Sequence, residues 1–303
     1  MRVLVLGGTG YLGSHIVDRL RALPGALVLG GGRSPAAGFR LDLACDRPER
    51  LATALAAAAP DAVVNCAGAT GGDAVTLAEV NARGPAALCA ALREAAPAAR
   101  LVHLGSAAEY GPGRPGTAVT ESAATRPAGP YGATKLAGTV AVTASGLDAV
   151  VLRVGNPVGP GAPGTSLPGR IAALLRTAGA DPEAVLRLGD LSAHRDFVDV
   201  RDVARAVALA VTAPGPLPPV LNLGSGRAVP VRELVRALTR RAGFAGRVEE
   251  ETGSGSARSA QVSWQCSDIT AAGESLGWRP SYTLDDALAA LWAATTREGG
   301  GVP

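Results

Sequence analysis

Residues 2–13 read Arg-Val-Leu-Val-Leu-Gly-Gly-Thr-Gly-Tyr-Leu-Gly, and this stretch decides the fold. Its first half, Arg2 to Leu6, is a short apolar run of the kind that forms a buried parallel strand. Four glycines follow within seven residues, and a helical pattern then extends from Gly13 to Leu23. Such glycines let the backbone turn tightly and approach a pyrophosphate, while the helix N-terminus supplies N–H donors. The stretch therefore predicts a dinucleotide-binding strand, turn and helix, with these cofactor contacts: Gly7, Gly10, Tyr11, Leu12 and Gly13.

Strand and helix patterns alternate along the first half of the chain. Further strands are predicted at residues 26–29, 61–66, 100–104 and 149–154, with helices at 47–59, 77–95 and 130–144. This βαβ succession predicts an α/β fold, a doubly wound parallel sheet of the Rossmann type with right-handed crossovers. After Asn156 the pattern loosens into a Pro- and Gly-rich loop at 157–168. Later elements are predicted as helices at 167–178, 200–211, 231–242 and 284–295, a strand at 220–223 and a loop at 252–259.

Two domains are expected from this division of the pattern. A dinucleotide-binding Rossmann domain comprises residues 1–165, and residues 196–224 return to it. Residues 166–195 and 225–303 form a smaller, discontinuous C-terminal substrate-binding domain. A chain of 303 residues is long enough for this arrangement and for a well-buried core.

The composition argues against several functional classes. Net charge is +3 and Lys and Arg form no block, so no nucleic-acid-binding surface is predicted. No apolar run reaches membrane-spanning length, and the N-terminus lacks the apolar region of a signal peptide. The four cysteines have no metal-binding spacing and are expected to be small buried residues, so we predict a cytoplasmic protein without a metal site. Aromatic residues make up only 3% of the chain, so Ala, Val and Leu must build the core.

The end of the second predicted strand bears on the choice of cofactor. It runs into residues 30–34, Gly-Gly-Gly-Arg-Ser, which contain no carboxylate to bond the ribose hydroxyls of NAD. Arg33 and Ser34 could instead hold a 2′-phosphate, although Arg33 could equally be a solvated loop residue. We therefore favour NADP(H), while NAD(H) remains possible. Asp42 and Leu43, after the next short strand, are placed to meet the adenine.

Tyr131 and Lys135 are the central chemical observation. A spacing of four on a predicted helix puts both side chains on one face, and Pro130 suits the first helical turn. A fixed ammonium beside a phenol favours the phenolate, so Tyr131 can exchange a proton with a substrate alcohol or ketone. Ser106 follows the strand at 100–104, at the carboxyl edge of the parallel sheet where ligands bind. Its hydroxyl could polarise the same carbonyl, or it could serve only as a helix cap.

Taken together, these segments resemble those of one family. The chain is similar over nearly its whole length to the NAD-dependent epimerase/dehydratase family of extended short-chain dehydrogenases/reductases. The matching segments are GGTGYLG at 7–13, EVNARG at 79–84, GSAAEYG at 105–111, PYGATK at 130–135, LRVGNPVGPG at 152–161, HRDFVDVRDVA at 194–204, NLGSGRAV at 222–229 and LGWRPSYTLDDAL at 276–288. Their joint occurrence is highly specific, whereas each alone would be weak.

The resemblance implies a role for each matching residue. Ser106, Tyr131 and Lys135 would form the catalytic triad, with Asn81 ordering the site. A sugar nucleotide would be the substrate, and its pyrophosphate would meet two arginines, whose guanidinium forks suit that oxyanion. The resemblance also implies further contacts, which for the cofactor are Ala67, Gly68, Tyr131, Lys135 and Val154, and for the substrate are Ser106, Ala107, Asn156, Arg195 and Arg258. A homodimer is also possible.

One departure from the family pattern narrows the reaction. Sugar-nucleotide dehydratases of the family carry an acid pair directly after the catalytic Ser or Thr, and here Ala107 and Ala108 fill those places. Glu109 lies one step later and is expected to point elsewhere. Within the family the chain is most similar to GDP-4-keto-6-deoxymannose reductases and related NDP-hexose 4-ketoreductases, which implies NAD(P)H-dependent reduction of a 4-keto group. The alternatives are an NDP-sugar 4-epimerase, a ketoreductase of a non-nucleotide secondary metabolite, and a non-catalytic dinucleotide-binding sensor.

Overall fold

A parallel sheet of seven strands forms the centre of the structure, a computed structural model that describes residues 1–34, 37–251 and 262–298. Its strands are β1 (Arg2–Leu6), β2 (Leu27–Gly32), β3 (Phe39–Arg40), β4 (Ala62–Asn65), β5 (Arg100–Ser106), β6 (Ala149–Val154) and β10 (Val220–Leu223). The order across the sheet is β10-β6-β5-β4-β1-β2-β3, and each neighbouring pair is parallel. The direction of winding reverses between β1 and β4, which is where doubly wound sheets bind ligands. The predicted fold class is therefore confirmed.

Helices cover both faces of this sheet. One face carries α1 (Tyr11–Arg21), α7 (Val200–Thr212) and α9 (Thr270–Leu276), and the other carries α2 (Pro48–Ala58), α4 (Gly84–Ala95) and α5 (Pro130–Thr143). A further short helix, α3 (Ala74–Ala78), continues through a π-helical turn (Glu79–Arg83) into α4. Alternate side chains of β1 enter opposite layers, since Val3 and Val5 pack in one cluster and Leu4 and Leu6 in the other. This alternation follows from the two-residue period of a strand.

A third apolar cluster lies outside the main sheet. It is built on α6 (Leu167–Ala178), α8 (Val231–Arg241) and α10 (Leu284–Glu298), in a part of the chain that also contains five short strands. These strands are β7 (Asn156–Val158), β8 (Val185–Leu188), β9 (His194–Asp199), β11 (Ala228–Pro230) and β12 (Arg247–Glu250). β9 pairs with β7 in parallel and with β11 in antiparallel fashion, and β8 pairs with β12 in parallel. The domain limits given from the sequence remain predictions.

Asp202 ties the segment after α9 to α7. Its Oδ2 atom accepts hydrogen bonds from the backbone N–H groups of Ser281 (2.8 Å) and Tyr282 (3.0 Å), and its Oδ1 atom accepts one from Arg205 (2.9 Å). The indole of Trp278 donates to the backbone oxygen of Asp202 at 2.9 Å. Both Asp202 and Trp278 are completely buried. One residue of α7 therefore anchors a segment distant in sequence through polar contacts inside an otherwise apolar layer.

Some predicted elements differ from the structure. The loop predicted at 157–168 is wrong at its beginning, because Pro157 and Val158 belong to β7. The single helix predicted at 77–95 is instead divided by the π-helical turn. Short elements that carried no clear pattern, β8, β11, β12 and α9, were not predicted. Cys45 is exposed rather than buried. The loop predicted at 252–259 lies outside the described residues, and no described helix is long and apolar enough to cross a membrane.

Candidate functional site

The predicted site residues gather at the carboxyl edge of the central sheet. Gly7 follows β1, Arg33 follows β2 and Ala67 follows β4. Ser106 and Val154 end β5 and β6, and the two are register partners. Because parallel strands end at the same edge, these residues line one crevice beside the switch point between β1 and β4.

The glycine-rich turn after β1 forms a cradle that side chains would fill. Gly7 has a φ of +76°, and a Cβ there would lie 2.8 Å from the backbone nitrogen of Ala67. A Cβ on Gly13 would collide with the carbonyl oxygen of Gly7. Gly10 caps α1 with extended backbone, and among the described residues no side chain caps this helix. The first N–H groups of α1 are therefore left to an external acceptor, and the cradle fits the diphosphate of a dinucleotide.

The adenosine end of the crevice is less fully defined. Arg33 is exposed directly after β2, whose Gly31 carbonyl accepts a hydrogen bond from the N–H of Gly7 at 3.1 Å. Asp42 accepts a hydrogen bond within its own turn, and Leu43 is buried in the layer of α2 and α4. Ser34 is half-buried next to Arg33. The structure thus brings Arg33 to the glycine turn, while the cofactor contacts at Ser34, Asp42 and Leu43 remain predictions.

Asn81 holds the loop that follows β4 in place. It lies in the π-helical turn, is almost completely buried, and exchanges two hydrogen bonds with the backbone of Ala69, at 2.9 and 2.8 Å. Its amide also donates to the hydroxyl of Thr134 on α5 at 3.3 Å. A Cβ on Gly68 would lie 3.4 Å from the Asn81 Oδ1 atom and 4.0 Å from the Lys135 Nζ atom. Asn81 therefore joins the loop after β4 to α5, the helix that carries Tyr131 and Lys135. Its role in ordering the site remains a prediction.

Ser106, Tyr131 and Lys135 are brought together by close packing of α5 on the end of β5. A Cβ on Gly132 would lie 2.5 Å from the carbonyl oxygen of Ala108, so the first turn of α5 rests on the turn that follows Ser106. Tyr131 is half-buried on this turn. The Lys135 ammonium is buried and donates to the carbonyl oxygen of Leu104 on β5. The segments that carry Ser106, Tyr131 and Lys135, the three residues predicted to be catalytic, thus meet at one corner of the crevice.

Two opposing effects determine the pKa of Lys135. Burial lowers the pKa of its ammonium to about 8, and the negative charge of Glu109 opposes this shift. At neutral pH the side chain is still mostly charged, but it is close to losing its proton. A buried amine of this kind can support proton transfer by a neighbouring phenol.

The expected substrate side is formed by residues from the middle and from the C-terminal part of the chain. Asn156 donates from its amide to the Gln265 side chain (2.8 Å) and to the carbonyl of Asp196 (3.2 Å). Arg195 lies on β9, is only 7% exposed, and donates to the carbonyl of His194. Gln265 was not anticipated, because nothing in its local sequence marks it. Arg258 lies outside the described residues, and within those residues no group of His, Cys, Asp and Glu is arranged to hold a metal ion.

Glu109 is a further residue that was not assigned a role from the sequence. Its carboxylate turns back onto Ser106, so it does not take the place of the acid pair found in dehydratases. Ser106 and Glu109 form a reciprocal capping box on a 3-10 turn (Ala107–Glu109). The Ser-x-x-Glu spacing is the sequence signal of such a box and could have revealed it.

Comparisons with known proteins agree with this geometry. A profile of the NAD dependent epimerase/dehydratase family matches residues 3–224. The chain is 41% identical to dTDP-6-deoxy-L-talose 4-dehydrogenase (NAD(P)(+)) of Kitasatospora kifunensis, over 97% of this chain and 95% of the relative. UDP-glucose 4-epimerase of Thermus thermophilus in complex with NAD superimposes with a TM-score of 0.83, at 28% identity over 100% of both chains.

The NADPH complex of RMD from Pseudomonas aeruginosa superimposes with the same TM-score of 0.83, over 98% of this chain and 99% of that one. At 24% identity this likeness concerns the fold alone. The family profile spans most of the chain, and the Kitasatospora relative matches nearly all of it. The chain therefore belongs to the NAD-dependent epimerase/dehydratase family and is an NAD(P)-dependent enzyme of the extended short-chain dehydrogenase/reductase type.

Proposed function

We propose that this protein is an NAD(P)H-dependent 4-ketoreductase of a nucleotide-activated 6-deoxyhexose. The observation that carries the proposal is the 41% identity, over nearly the whole chain, with a dTDP-6-deoxy-L-talose 4-dehydrogenase. A 4-dehydrogenase and a 4-ketoreductase catalyse one reaction in opposite directions, so the name of the relative fits the reduction as well as the oxidation. The presence of Ser106, Tyr131 and Lys135 on segments that meet at one corner supports turnover and argues against a non-catalytic sensor.

The chain's own groups suit protonation of a ketone oxygen. When bound in the glycine cradle, a reduced nicotinamide would supply the hydride for C4 of the sugar. Tyr131 would donate a proton to the oxygen as negative charge develops there. Ser106 would donate a hydrogen bond to the same oxygen, and the Lys135 ammonium would stabilise the tyrosine as it loses its proton.

The residues after Ser106 support reduction rather than dehydration. Removal of water from a hexose requires a general acid and a general base beside the ring, and Ala107 and Ala108 offer neither. Ala107 is buried, and its methyl group can neither donate nor accept a proton. The chemistry left to the site is hydride transfer with a single proton, as in reduction, oxidation or epimerisation at C4.

We infer that NADPH is the preferred reductant. Residues 30–34 contain no carboxylate to repel a 2′-phosphate, and the exposed guanidinium of Arg33 stands at the end of β2. A guanidinium binds phosphate through charge-assisted hydrogen bonds. A reductase must exchange its cofactor at each turnover, which suits an open site at Arg33. The relative from Kitasatospora is named for both NAD⁺ and NADP⁺, so the preference concerns relative affinity.

Stoichiometry is the test of this function. The enzyme is incubated with NADPH and a panel of NDP-4-keto-6-deoxyhexoses, with dTDP and GDP forms compared, while NADPH absorbance and the sugar products are followed together. We expect one NADPH to be consumed for each 4-hydroxy sugar formed. Interconversion of two NDP-hexose epimers at constant NADPH, with no ketone reduced, would identify the enzyme as an epimerase instead.

A further inference from the structure

Glu109 is a buried carboxylate beside the catalytic corner that the proposed reaction does not consume. It is completely buried, and its two oxygens are bonded on different sides. The Oε1 atom accepts from the N–H of Ser106 at 2.8 Å, and the Oε2 atom accepts from the Nε of Arg153 at 2.7 Å. Gly105 leaves the space for it, since a Cβ there would lie 2.8 Å from the Glu109 Oε1 atom. The carboxylate is therefore held in one position.

This carboxylate fixes the catalytic serine. The Ser106 N–H donates to Glu109, while the Ser106 Oγ atom accepts from the N–H of Ala108 at 3.2 Å. A hydroxyl has one proton to donate and lone pairs to accept with. Because Ala108 engages a lone pair of Ser106, the serine proton remains to be donated to a substrate oxygen. Loss of the Glu109 contact would release the backbone on which this orientation depends.

Arg153 balances the charge of Glu109 and is itself held in place. Its guanidinium lies 4.5 Å from the ring centre of Tyr110, and the Tyr110 hydroxyl donates to Asn222 at 2.8 Å. The side chains of Arg153 and Glu109 are 5% and 0% exposed. A buried ion pair often contributes no more stability than well-packed apolar residues would. Stability alone therefore does not account for such a pair next to the catalytic serine.

Glu109 and Lys135 meet at the same end of β5. The Lys135 ammonium donates to the carbonyl oxygen of Leu104, and the Glu109 Oε1 atom lies against the next residue, Gly105. Burial lowers the pKa of the Lys135 ammonium to about 8, and Glu109 is the leading influence in the other direction. Cys66 faces the ammonium from the loop after β4, but burial raises the pKa of its thiol to about 12, so the thiol is neutral. His103 faces it from β5, and burial together with Lys135 holds the pKa of the imidazole well below its ordinary range, so it too is neutral.

Two further groups lie around this corner, Tyr131 on the helix of the lysine and Arg153 on β6. Neither carries a negative charge while the phenol is protonated. Within residues 1–34, 37–251 and 262–298, Glu109 is thus the carboxylate that acts on Lys135. The negative charge that favours the protonated lysine and the acceptor that holds Ser106 belong to the same residue.

We propose that Glu109 is a positioning residue of the reaction, which holds the Ser106 hydroxyl toward the substrate and keeps the Lys135 ammonium charged. The inference rests on the proposed roles of Ser106, Tyr131 and Lys135. This role would explain why a carboxylate stands directly after Ala107 and Ala108, the positions of the acid pair in dehydratases. There it supports Ser106 and Lys135 and touches no substrate.

The charge effect can be measured without any substrate. Lys135 is the only lysine in the sequence, so isotope-labelled lysine gives one side-chain NMR signal, which is titrated in the full-length protein. Glu109→Gln keeps the shape and an oxygen for the Ser106 N–H. We expect it to lower the titration midpoint of Lys135 by about one pH unit or more, because a neighbouring opposite charge is lost. Equal midpoints in Glu109→Gln and the wild type would overturn the proposal.

A matched control and a second variant make this result secure. Glu121→Gln is the same change in a carboxylate that accepts from the N–H of Asn222 at 2.8 Å, and it should leave the midpoint unchanged. Arg153→Gln keeps the carboxylate and should not lower the midpoint. If Glu109→Gln does not fold, the double variant Glu109→Gln/Arg153→Gln removes the whole buried pair, and its midpoint should also fall. A wild-type midpoint in that double variant would equally contradict the proposal.

The effect on catalysis has a distinct pH dependence. With a ketone substrate, the basic limb of the kcat profile of Glu109→Gln should move to lower pH by the same amount as the NMR midpoint. The loss of rate relative to the wild type should therefore grow as the pH rises through the titration of Lys135. A loss that is independent of pH and equal in Glu109→Gln and Arg153→Gln would mark the pair as merely structural and refute the proposal. Failure of every ketone to react would count against the proposed function, while the NMR titration would still decide the role of Glu109.

Discussion

Lys135 is the only lysine in the sequence, and all the other residues among its 29 Lys and Arg are arginines. An arginine cannot replace it here, because a guanidinium stays protonated and needs room for a planar fork. The small ammonium of Lys135 fits the buried site against β5, where burial lowers its pKa to about 8. In a chain that otherwise uses arginine throughout, this exception supports the proposal that the reaction requires an amine at this position.

The role of the tyrosine can be tested by removing one oxygen. We expect Tyr131→Phe to lower turnover by about 10²–10⁴-fold, which is the usual loss when a positioned general acid is removed. NADPH binding, measured by fluorescence titration, should be unchanged, because the cradle lies at the N-terminus of α1. Tyr282→Phe is the matched control, since Tyr282 lies partly exposed under Arg201. Near wild-type turnover in Tyr131→Phe would show that another group supplies the proton.

Cofactor preference is also decided by a single side chain in this proposal. Arg33→Ala should weaken NADPH binding by about tenfold or more and leave NADH binding unchanged, because only NADPH carries the phosphate that a charged hydrogen bond would hold. Dissociation constants for both cofactors, measured in the wild type and the variant, check this. Arg176→Ala, an exposed arginine on α6, is the control. Equal wild-type affinities for NADPH and NADH would contradict the preference.

At the scale of elements, the βαβ part of the fold was predictable because its strands are continuous apolar runs. β6, α6 and β10 have the bounds given by the sequence pattern. β8 and β12 were missed because charged residues such as Arg187 and Glu249 alternate within four-residue strands. Tyr131 and Lys135 could be recognised by their spacing on one helix. Gln265 could not, because it meets Asn156 only through the tertiary fold.

The turn between β1 and α1 allows a test of how the position of α1 affects cofactor binding. Gly13→Ala should reduce NADPH affinity by about tenfold or more, because its Cβ would collide with the Gly7 carbonyl and push the first turn of α1 away from the diphosphate. Isothermal titration measures the change, and circular dichroism checks that the fold persists. Gly215→Ala is the control, since a Cβ there meets no atom within 4 Å. Unaltered affinity in Gly13→Ala would mean that the diphosphate binds elsewhere.

For the whole molecule, the Asp202 contacts show how a distant segment is held to the sheet layer. Asp202→Ala removes the acceptor of the Ser281 and Tyr282 N–H groups and one of the acceptors of Arg205, so we expect the free energy of unfolding to fall by about 2–3 kcal/mol. Asp285→Ala removes a solvent-exposed partner of Arg241 and should cost less than about 1 kcal/mol. Denaturant unfolding of the two variants compares them directly. Equal losses would show that the buried contacts add nothing beyond a surface ion pair.

The complete burial of Trp278 has an optical consequence for the same region. The sequence contains three tryptophans, and the indole of Trp278 is sealed against α7, whereas Trp264 is half-exposed and stacks on His194 with ring centres 4.9 Å apart. Trp278 should fluoresce at short wavelength and resist quenching by acrylamide. Trp264 precedes Gln265, so its emission should change when a sugar nucleotide binds, and Trp264→Phe should abolish that change. Asp202→Ala can also be compared with the wild-type residue in a protein in which Trp264 is replaced. A red shift of the emission in Asp202→Ala alone would report that the segment after α9 separates from α7 before the protein unfolds.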